Sequence, residues 1–352
     1  MELITVDRNM KIAVAIGVVA VIVIAAVAVV INNNNNDSKD TYTMAVVKHN
    51  FEPLFIADEL GYFDDAGVKV QLVQAGSGNL AMTSLTAGQV DLAGFGSDPF
   101  FAMIDSYGED YKYVARWMMD EGLKGAAKID CTYEFDGKEK GLVGARIGVN
   151  TNVSYYSLLL KYLSLTGQDD IMVLQTDGGY DATKVNIYHY ANDALSNALT
   201  TGSVDIIIAG ATNINVVEKN PTLYRYVVAA DGYKGYMSVG LFSSMDFVEK
   251  KEGDIKKILE AIDKACDYMN DASTKEKAVE ICMNRLNITD KNIMTKYLEL
   301  AEWGVKLNDA DKDSMESSFE YIVKNNPSKY TGYLKGLTTI DITKYFDYRF
   351  VK

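Results

Sequence analysis

From residue 43 onward, short apolar runs alternate with longer stretches whose apolar residues recur every three or four positions. The short runs predict strands and the longer stretches predict helices. Strands are predicted over 43–49, 68–75, 90–96 and 111–118, and helices over 53–61, 78–88 and 98–108. Strands and helices that alternate in this way are typical of an α/β fold with a mostly parallel sheet covered by helices.

A second series of the same kind follows an irregular, charged stretch at 119–143. Its strands are predicted over 146–150, 170–176, 204–210, 224–231 and 236–244, and its helices over 154–167 and 191–202. The segments 82–96 and 195–210 share one pattern: a short helix, a glycine, a Val-Asp pair and a strand that ends in glycine. This repeat predicts two lobes of similar architecture.

The C-terminal third of the chain is predicted to be mostly helical. Helices are expected over 254–271, 273–286, 289–304 and 311–326. Ser273 and Glu276 have the spacing of a capping box at the second of these helices. Earlier in the chain, Asp98 and Pro99 predict a helix start with Asp98 as the N-cap and Pro99 at the first helical position. We expect the C-terminal helices to pack on the lobes and to have no role in a site.

The segment 12–31 is twenty residues long and has no charged or polar side chain. As a helix it would span about 30 Å, the thickness of the hydrocarbon core of a bilayer. Basic residues flank it on the N-terminal side only, which predicts that residues 1–11 are cytoplasmic and that the rest of the chain is extracytoplasmic. We expect an uncleaved membrane anchor at 12–31 and an Asn-rich tether at 32–42. The alternative is a cleaved signal peptide.

Charge and cysteine content narrow the range of partners. The formal net charge is −13, whereas nucleic-acid binding requires a basic surface, so we expect no nucleic-acid partner. Cys131, Cys266 and Cys282 are scattered and form no Cys-x-x-Cys motif, so we expect no metal cluster, and we expect no cofactor. Cys266 and Cys282 lie on neighbouring predicted helices, which leaves open whether they form a disulfide or stay free.

Little in the chain points to catalysis. It has two histidines, His49 and His189, and it lacks the GxSxG, HExxH, GxxxxGK[ST] and GxGxxG motifs. Small hydroxyl and amide residues instead follow predicted strands in the turns 76–79 (GSGN), 94–99 (GFGSDP), 150–154 (NTNVS) and 210–213 (GATN). In open α/β sheets, ligands bind beyond the carboxyl ends of strands, where helix N-termini attract anions. Each such residue has an ordinary alternative as a helix cap, but the four turns together favour a cleft between two lobes.

Four segments carry a resemblance to a known family. They are PLFIADELGYFDDAGVKVQLV (53–73), LTAGQVDLAGFGSDP (85–99), GARIGVNTNVSYYSLLLKYL (144–163) and ALTTGSVDIIIAGATN (198–213). Through these segments, the chain resembles the substrate-binding proteins of ABC importers in the nitrate/sulfonate/taurine family. This family also includes binders of thiamine pyrimidine precursors. The resemblance covers about residues 43–350.

The resemblance implies a type II periplasmic-binding fold with two helix-covered lobes, C-terminal helices and a ligand trapped by hinge closure. Lobe I is expected over 43–125 and 235–352, and lobe II over 126–234. The chain is expected to cross between the lobes near 124–128 and 231–235.

The resemblance also implies a solute site built from the turns of both lobes. From lobe I we expect His49, Asn50, Phe51, Ser77, Gly78, Asn79, Gly96, Ser97 and Asp98. From lobe II we expect Asn150, Thr151, Ser154, Tyr155, Thr212 and Asn213. Relatives often have an aromatic residue, an acidic residue and a proline at the last of these turns. This chain has Ala211, Thr212 and Asn213 there, so the specificity of a relative does not transfer directly.

We therefore expect a non-catalytic extracytoplasmic receptor that captures a small solute and delivers it to the permease and ATPase subunits of an ABC importer. Hydroxyl and amide donors at helix N-termini suit an oxyanion such as a sulfonate or nitrate. Asp98 lies near the same turns, and its carboxylate would repel an anion. A zwitterion such as taurine would be compatible with both, because its ammonium group could meet Asp98. Tyr155, Tyr156 and Trp117 would instead stack on a pyrimidine, with core packing as their alternative role.

Two other functions remain in competition. One is an enzyme on the same fold, because the family includes pyrimidine synthases that use a histidine and a cysteine-rich segment. His49 would be such a histidine, but the cysteines of this chain are not clustered. The other is a surface sensor that uses the fold for signalling.

Overall fold

The computed structural model describes residues 41–121, 123–151, 154–175, 178–210, 214–230, 236–299 and 301–351. The expected cytoplasmic N-terminus, the anchor and nearly all of the tether lie outside the described residues, as do Thr212 and Asn213. Among the helices that are described, none is both long enough and apolar enough to cross a membrane. Residues 41–352 form one compact unit.

The elements begin with a strand and alternate through most of the chain. The strands are β1 (Thr41–Val46), β2 (Lys69–Gln74), β3 (Leu92–Phe95), β4 (Tyr111–Glu121), β5 (Lys124–Lys128), β6 (Arg146–Val149), β7 (Met172–Gln175), β8 (Val185–His189), β9 (Ile206–Ile208), β10 (Tyr224–Val228), β11 (Tyr236–Ser244) and β12 (Ala301–Lys306). The helices are α1 (Glu52–Glu59), α2 (Tyr62–Asp65), α3 (Gly78–Thr86), α4 (Ser97–Tyr107), α5 (Ser154–Leu165), α6 (Leu195–Thr200), α7 (Val216–Lys219), α8 (Met245–Lys250), α9 (Glu252–Asn270), α10 (Lys275–Leu286), α11 (Lys291–Glu299) and α12 (Asp309–Asn325).

The strands form two sheets of six. The first has the order β12-β4-β11-β3-β1-β2, in which β1 is parallel to β2 and β3, while β11 is antiparallel to both β3 and β4. The second has the order β10-β5-β9-β6-β8-β7, in which β6 to β9 are parallel, while β5 is antiparallel to both of its neighbours, β9 and β10. The predicted α/β architecture, with two helix-covered sheets and C-terminal helices, is confirmed.

The position of each strand in the chain determines which of the two sheets it joins. The chain leaves the first sheet after β4, builds the whole second sheet from β5 to β10, and returns to the first sheet with β11. The expected crossing at 124–128 falls on β5 itself, while the crossing at 231–235 lies outside the described residues. This sorting supports the division into lobe I (43–125 and 235–352) and lobe II (126–234), which remains a proposal.

The longest C-terminal helix shows why the sequence folds this way. Every third or fourth residue of α9 is apolar, and this face packs on α1, α2, α10 and β12. The buried members are Ile255, Ile258, Leu259, Ala261, Ile262, Ala265, Cys266 and Met269. Each large aliphatic side chain removed from water contributes about 1.5–3 kcal/mol, so this face alone fixes α9 on the elements it contacts.

Several local predictions were wrong because contacts distant in sequence decide the structure. The helix expected over 289–304 ends at Glu299, and Ala301–Lys306 forms strand β12 instead. β12 pairs antiparallel with β4 and buries Trp303. The sequence also did not predict β5, β8, α7 or α8.

Two predicted helix starts also differ from the structure. Ser273 does not cap α10, because Thr274 occupies the N-cap position and Ser273 donates to Asp271 instead. Asp98 is not the N-cap of α4, which Gly96 precedes and Ser97 opens. The proline after Asp98 is compatible with this earlier start, because the first helical turn needs no N–H donor. Cys131, Cys266 and Cys282 are free, so Cys266 and Cys282 form no disulfide.

Candidate functional site

The carboxyl ends of parallel strands bring the predicted site residues together at one edge of each sheet. In the first sheet, Met44 of β1 is level with Leu92 of β3, so β1, β2 and β3 all end on the same side. These strands lead into α1, α3 and α4. In the second sheet, β6, β8 and β9 are likewise parallel and end on one side. We call residues 47–51, which follow β1, the β1 tip.

Asn50 in the β1 tip is held in an unusual backbone conformation. Its φ angle is 72°, in the left-handed region that most residues avoid. The hydroxyl of Tyr297 accepts from the Asn50 backbone N–H (2.7 Å) and donates to the Asn50 side-chain oxygen (2.6 Å). The indole of Trp117 donates to the Asn50 carbonyl at 2.8 Å. Asn50 is therefore fixed by both neighbours.

Phe51 lies in the core rather than on an open wall. Only 1% of its surface is exposed, and its ring packs edge-on against Trp117 with centroids 5.3 Å apart. This packing depends on Gly94 in β3, because a Cβ atom there would overlap both rings. The packing of Phe51 against Trp117 therefore anchors the end of the β1 tip in the core.

Two titratable side chains, one in the β1 tip and one directly after it, are neutral near pH 7. Glu52 is fully buried, and no well-aligned hydrogen bond reaches either oxygen of its carboxyl group. Burial raises the pKa of Glu52 from 4.5 to about 8. His49 has a buried Nδ1 without a hydrogen-bond partner, and burial, followed by the charge of Lys48, lowers the pKa of His49 from 6.5 to about 4. Neither group brings a charge to the site at neutral pH.

The turn before α3 forms a regular helix start. The Ser77 hydroxyl oxygen accepts from the backbone N–H of Leu80 at 3.2 Å, so Ser77 caps this helix. Gly78 lies close to Phe95 and Pro99, which leaves little room for a side chain. Asn79 is exposed. The ordinary role of a helix cap thus applies to Ser77.

The turn before α4 contains the one predicted site residue that belongs to an ion pair between distant segments. Gly96 precedes the helix, and Ser97 is 4% exposed. The Asp98 carboxylate lies 3.4 Å from the Lys329 ammonium, which comes from the C-terminal segment. The Asp98 side chain is 10% exposed, so water screens this pair only partly. Lys329 compensates the negative charge of Asp98.

At the edge of the second sheet, two strand ends are joined by their side chains. The Thr151 hydroxyl, after β6, lies 2.8 Å from Nδ1 of His189 at the end of β8. Tyr155 in α5 is 8% exposed and lies against Gly210, where a Cβ atom would be 2.7 Å from the tyrosine hydroxyl. Asn150 is half-buried beside them, while the Ser154 side chain lies outside the described residues.

The segment after β9 lies near the helix that carries Tyr297. The pKa of Glu218 in α7 is raised, chiefly by burial and then by Asp290, and it is lowered in part by Lys296. Lys296 belongs to α11, one residue before Tyr297. Charges that follow the carboxyl edge of the second sheet and charges beside Tyr297 thus influence each other electrostatically. Within the described part, no group of His, Cys, Asp or Glu side chains is arranged to hold a metal ion.

Sequence reasoning missed Tyr297, Glu52 and Lys329. Tyr297 and Lys329 lie about 230–250 residues away from the groups they contact, and nothing in their local sequence marks them. Glu52 had a local signal, since it directly precedes Pro53 at a helix start, but acidic residues are common in first helical turns. Only the three-dimensional packing distinguishes it.

Comparisons with known proteins agree with this fold. The family model described as "NMT1/THI5 like" matches residues 48–148 and 166–275, more than half of the chain. No curated protein sequence matches significantly.

Solved structures with a similar fold come from several bacteria. The periplasmic aliphatic sulphonate binding protein SsuA from Escherichia coli is 15% identical, with 88% of this chain and 99% of that chain covered and a TM-score of 0.67. The alkanesulfonate-binding protein SsuA from Xanthomonas axonopodis pv. citri is 13% identical, with coverage of 88% and 100% and a TM-score of 0.64. The periplasmic nitrate-binding protein NrtA from Synechocystis PCC 6803 is 12% identical, with coverage of 84% and 83% and a TM-score of 0.60.

At these identities the structural likeness establishes the fold, and it confirms the two-lobed periplasmic-binding architecture that the sequence predicted. The extent of the family match establishes more. The chain belongs to the NMT1/THI5-like family.

Proposed function

We propose that this protein is an extracytoplasmic receptor that captures a small anionic solute of the sulfonate, taurine or nitrate class in a cleft between its lobes. It then delivers the solute to the permease and ATPase subunits of an ABC importer. The observation that carries the proposal is the pairing of Asp98 with Lys329, which removes the main electrostatic objection to an anion at the start of α4.

Helix N-termini supply the attraction. α3 and α4 start after β2 and β3, at the carboxyl edge of the first sheet, and α5 starts after β6, at the corresponding edge of the second. The positive ends of these helix dipoles favour an oxyanion without a full counter-charge. Glu52 is protonated below about pH 8, so a carboxylate at the β1 tip does not oppose binding.

Side chains from both lobes complete the proposed site. From lobe I, His49 and Asn50 lie at the β1 tip, and Ser77 and Ser97 lie at the helix starts. From lobe II, Asn150, Thr151, Ser154, Tyr155, Thr212 and Asn213 would close over the solute by hinge motion. The proteins of similar fold include alkanesulfonate-binding and nitrate-binding proteins, which supports this class of ligand.

The choice within the class shifts towards a simple anion. Taurine was the compatible zwitterion because its ammonium group would meet the Asp98 carboxylate. Lys329 already provides that ammonium group. We therefore rank alkanesulfonates and nitrate above taurine.

A pyrimidine ligand remains the second candidate, but it loses one of its three expected stacking residues. Trp117 is fully buried and its indole N–H donates to Asn50, so no face of the ring is open to a ligand. Tyr155 and Tyr156 remain.

The surface sensor and the membrane anchor at 12–31 also stay as proposals. Recovery of the protein in the soluble fraction of disrupted cells would contradict the anchor.

A thermal-shift screen tests the proposal. The purified protein is heated with 1-propanesulfonate, taurine, nitrate, bicarbonate and a thiamine pyrimidine precursor, each in a separate sample. A ligand at 100 times its Kd stabilises the folded state by about 2.7 kcal/mol, which raises the melting temperature visibly. We expect the largest rise with a sulfonate or nitrate. A rise with the pyrimidine alone would contradict an anionic ligand but would still support the function of a solute receptor.

A further inference from the structure

A cavity of 870 Å³ opens on the second sheet, on the face opposite to α5. This volume is within the range of small-molecule sites. Four tyrosines and an ion pair line it: Tyr133, Tyr180, Tyr188, Tyr190, Arg146 and Asp205. We call it the tyrosine cavity. None of the proposed solute-site residues lines it among the described residues, and His189 in its lining contacts Thr151 of that site.

The tyrosine cavity exists because this part of the sheet is left uncovered. β7 and β8 are parallel neighbours, and the described part of their connection, 178–184, contains no helix. The next helix, α6, packs on β6 and β9 instead. Tyr188 and Tyr190 project on the same face because side chains two apart along an extended chain do so. Their rings are half-buried where a helix would otherwise lie.

A buried amide fixes the loop that forms one wall. Asn186 is fully buried at the start of β8. Its side-chain N–H group donates to the carbonyls of Asp181 (2.8 Å) and Lys184 (3.1 Å). Its side-chain oxygen accepts from the backbone N–H of Asp181 (2.8 Å) and from the Gln175 amide (2.6 Å). A buried side chain that satisfies both its donor and acceptor groups in this way holds the loop in one conformation.

Two of the tyrosines are themselves anchored by their hydroxyl groups. Tyr188 donates to the carbonyl of Gly179 at 2.6 Å, and Tyr180 donates to the carbonyl of Gly144 at 3.2 Å. Tyr180 is nevertheless 56% exposed, so its ring offers a large apolar face to solvent. The wall is thus built before any ligand arrives, which lowers the entropic cost of binding.

The charges in the tyrosine cavity cancel. Arg146 forms a two-pronged ion pair with Asp205, with Nη2 to Oδ1 at 2.6 Å and Nε to Oδ2 at 3.2 Å. The guanidinium also donates to the carbonyl of Gly202 at 2.8 Å. Burial raises the pKa of Tyr133, so its hydroxyl stays protonated. An anion would meet the carboxylate and a cation would meet the guanidinium, so neither is favoured.

We propose that the tyrosine cavity binds a neutral carbohydrate. A sugar ring has apolar C–H faces, which match the tyrosine rings, and a rim of hydroxyl groups, which match a planar ion pair and phenol groups. This site is independent of the proposed function.

Ligand-observed saturation-transfer NMR on the purified protein tests the proposal. The probes are glucose, galactose and mannose, each with a soluble polymer of the same sugar, and glucuronate and glucosamine as charged analogues. We expect transfer to a neutral sugar that exceeds transfer to its charged analogues. Binding of the free sugar would identify a solute, and binding of the polymer alone would identify a glycan surface. Both results support the site.

Matched variants place the binding in the cavity. Tyr180→Ala removes an exposed ring and should weaken binding about tenfold, while Tyr180→Phe keeps the ring and should retain most of it. Tyr348→Ala, an exposed tyrosine elsewhere, should have no effect. Melting temperatures of all three variants check folding.

Three results would overturn the proposal. They are no transfer to any neutral sugar or polymer at millimolar concentration, equal binding by the Tyr180→Ala variant, and displacement of the sugar by a ligand of the proposed solute site. The last result would move the sugar into the interlobe site. Failure to bind any sulfonate or nitrate would leave the carbohydrate proposal unaffected.

Discussion

The hydroxyl of Tyr297 bonds to both the backbone N–H and the side-chain oxygen of Asn50, a residue 247 positions earlier in the chain. Asn50 has a φ angle of 72°, and asparagine tolerates this region better than most residues. A helix that the sequence assigned only to packing therefore fixes the β1 tip. The position of the tip depends on the C-terminal third of the chain.

Loss of this contact should loosen the β1 tip. We expect Tyr297→Phe to destabilise the fold by about 1–2 kcal/mol, because it removes two hydrogen bonds from a partly buried site. Chemical denaturation of the two proteins measures the change. Tyr268→Phe is the matched control, since the Tyr268 hydroxyl makes no hydrogen bond to a described residue. Equal losses in both variants would contradict the role of Tyr297.

Replacement of Asn50 separates backbone strain from side-chain bonding. Both Asn50→Gly and Asn50→Ala lose the side-chain hydrogen bond to Tyr297, but only Asn50→Gly keeps access to the left-handed region. We expect the alanine variant to be less stable than the glycine variant by about 1 kcal/mol. The same denaturation experiment compares them, and equal stability would show that the left-handed conformation imposes no constraint.

Glu52 should make stability fall with rising pH. Its pKa is about 8 in the folded protein and 4.5 in an ordinary environment, so the folded state binds more protons than the unfolded state between these values. The free energy of unfolding therefore decreases as pH rises from about 4.5 to 8, and this contribution is constant above that range. Glu52→Gln cannot titrate. We expect the stability of the wild type relative to this variant to decline across the window, as measured by denaturation at several pH values. A difference that does not change with pH would rule out a protonated Glu52.

Lys329 should matter for anion binding through Asp98. Lys329→Met removes the ammonium group that lies 3.4 Å from the Asp98 carboxylate, so the negative charge there is less compensated and should weaken sulfonate binding about tenfold at low salt. The double variant Asp98→Asn with Lys329→Met should recover most of the lost affinity, because both charges are then absent. Titration calorimetry measures both. Equal affinity of the single variant and the wild type would mean that Asp98 does not face the solute.

Gly94 should tolerate no side chain. A methyl group there overlaps Phe51 and Trp117, so we expect Gly94→Ala to destabilise the fold by about 1–3 kcal/mol. Gly253 in α9 is the matched control, because a Cβ atom there meets nothing within 4 Å. Gly253→Ala should stabilise the fold by about 0.5–1 kcal/mol through its higher helix propensity. Melting curves of the two variants should shift in opposite directions, and shifts of the same sign would contradict this account.

Local pattern predicted most of the fold because it is set by periodic burial. The α9 face and the parallel strands β1, β3, β6 and β9 bury their apolar residues with the expected spacing. Pairing between strands that are distant in the chain could not be predicted in this way, because it leaves no local pattern. β12 was predicted as helix because its apolar residues continue the α11 pattern, and only its pairing with β4 makes it a strand. β5 was missed because KGAAK carries no β-branched or aromatic residue.

In the candidate site, too, local features were predicted from the sequence and contacts between distant residues were not. Strand-to-helix turns at 76–79, 94–99 and 150–154 were predicted from the sequence, since glycine, serine and asparagine mark such turns locally. The partners that tune them were not, because Tyr297 and Lys329 reach the site only through folding. The tyrosine cavity was also missed. It depends on a connection between β7 and β8 whose described part, 178–184, contains no covering helix, and no single residue signals this.

The most direct test of the account is the affinity of 1-propanesulfonate for the wild type, Ser77→Asp and Ser77→Asn, measured by titration calorimetry. Aspartate and asparagine both cap helices well, so α3 should remain intact in each variant. Only aspartate adds a negative charge beside the proposed anion. We predict binding by the wild type and the asparagine variant, and a loss of at least about tenfold in the aspartate variant. Equal binding by all three proteins, or binding by none, would contradict an anion site at these helix N-termini.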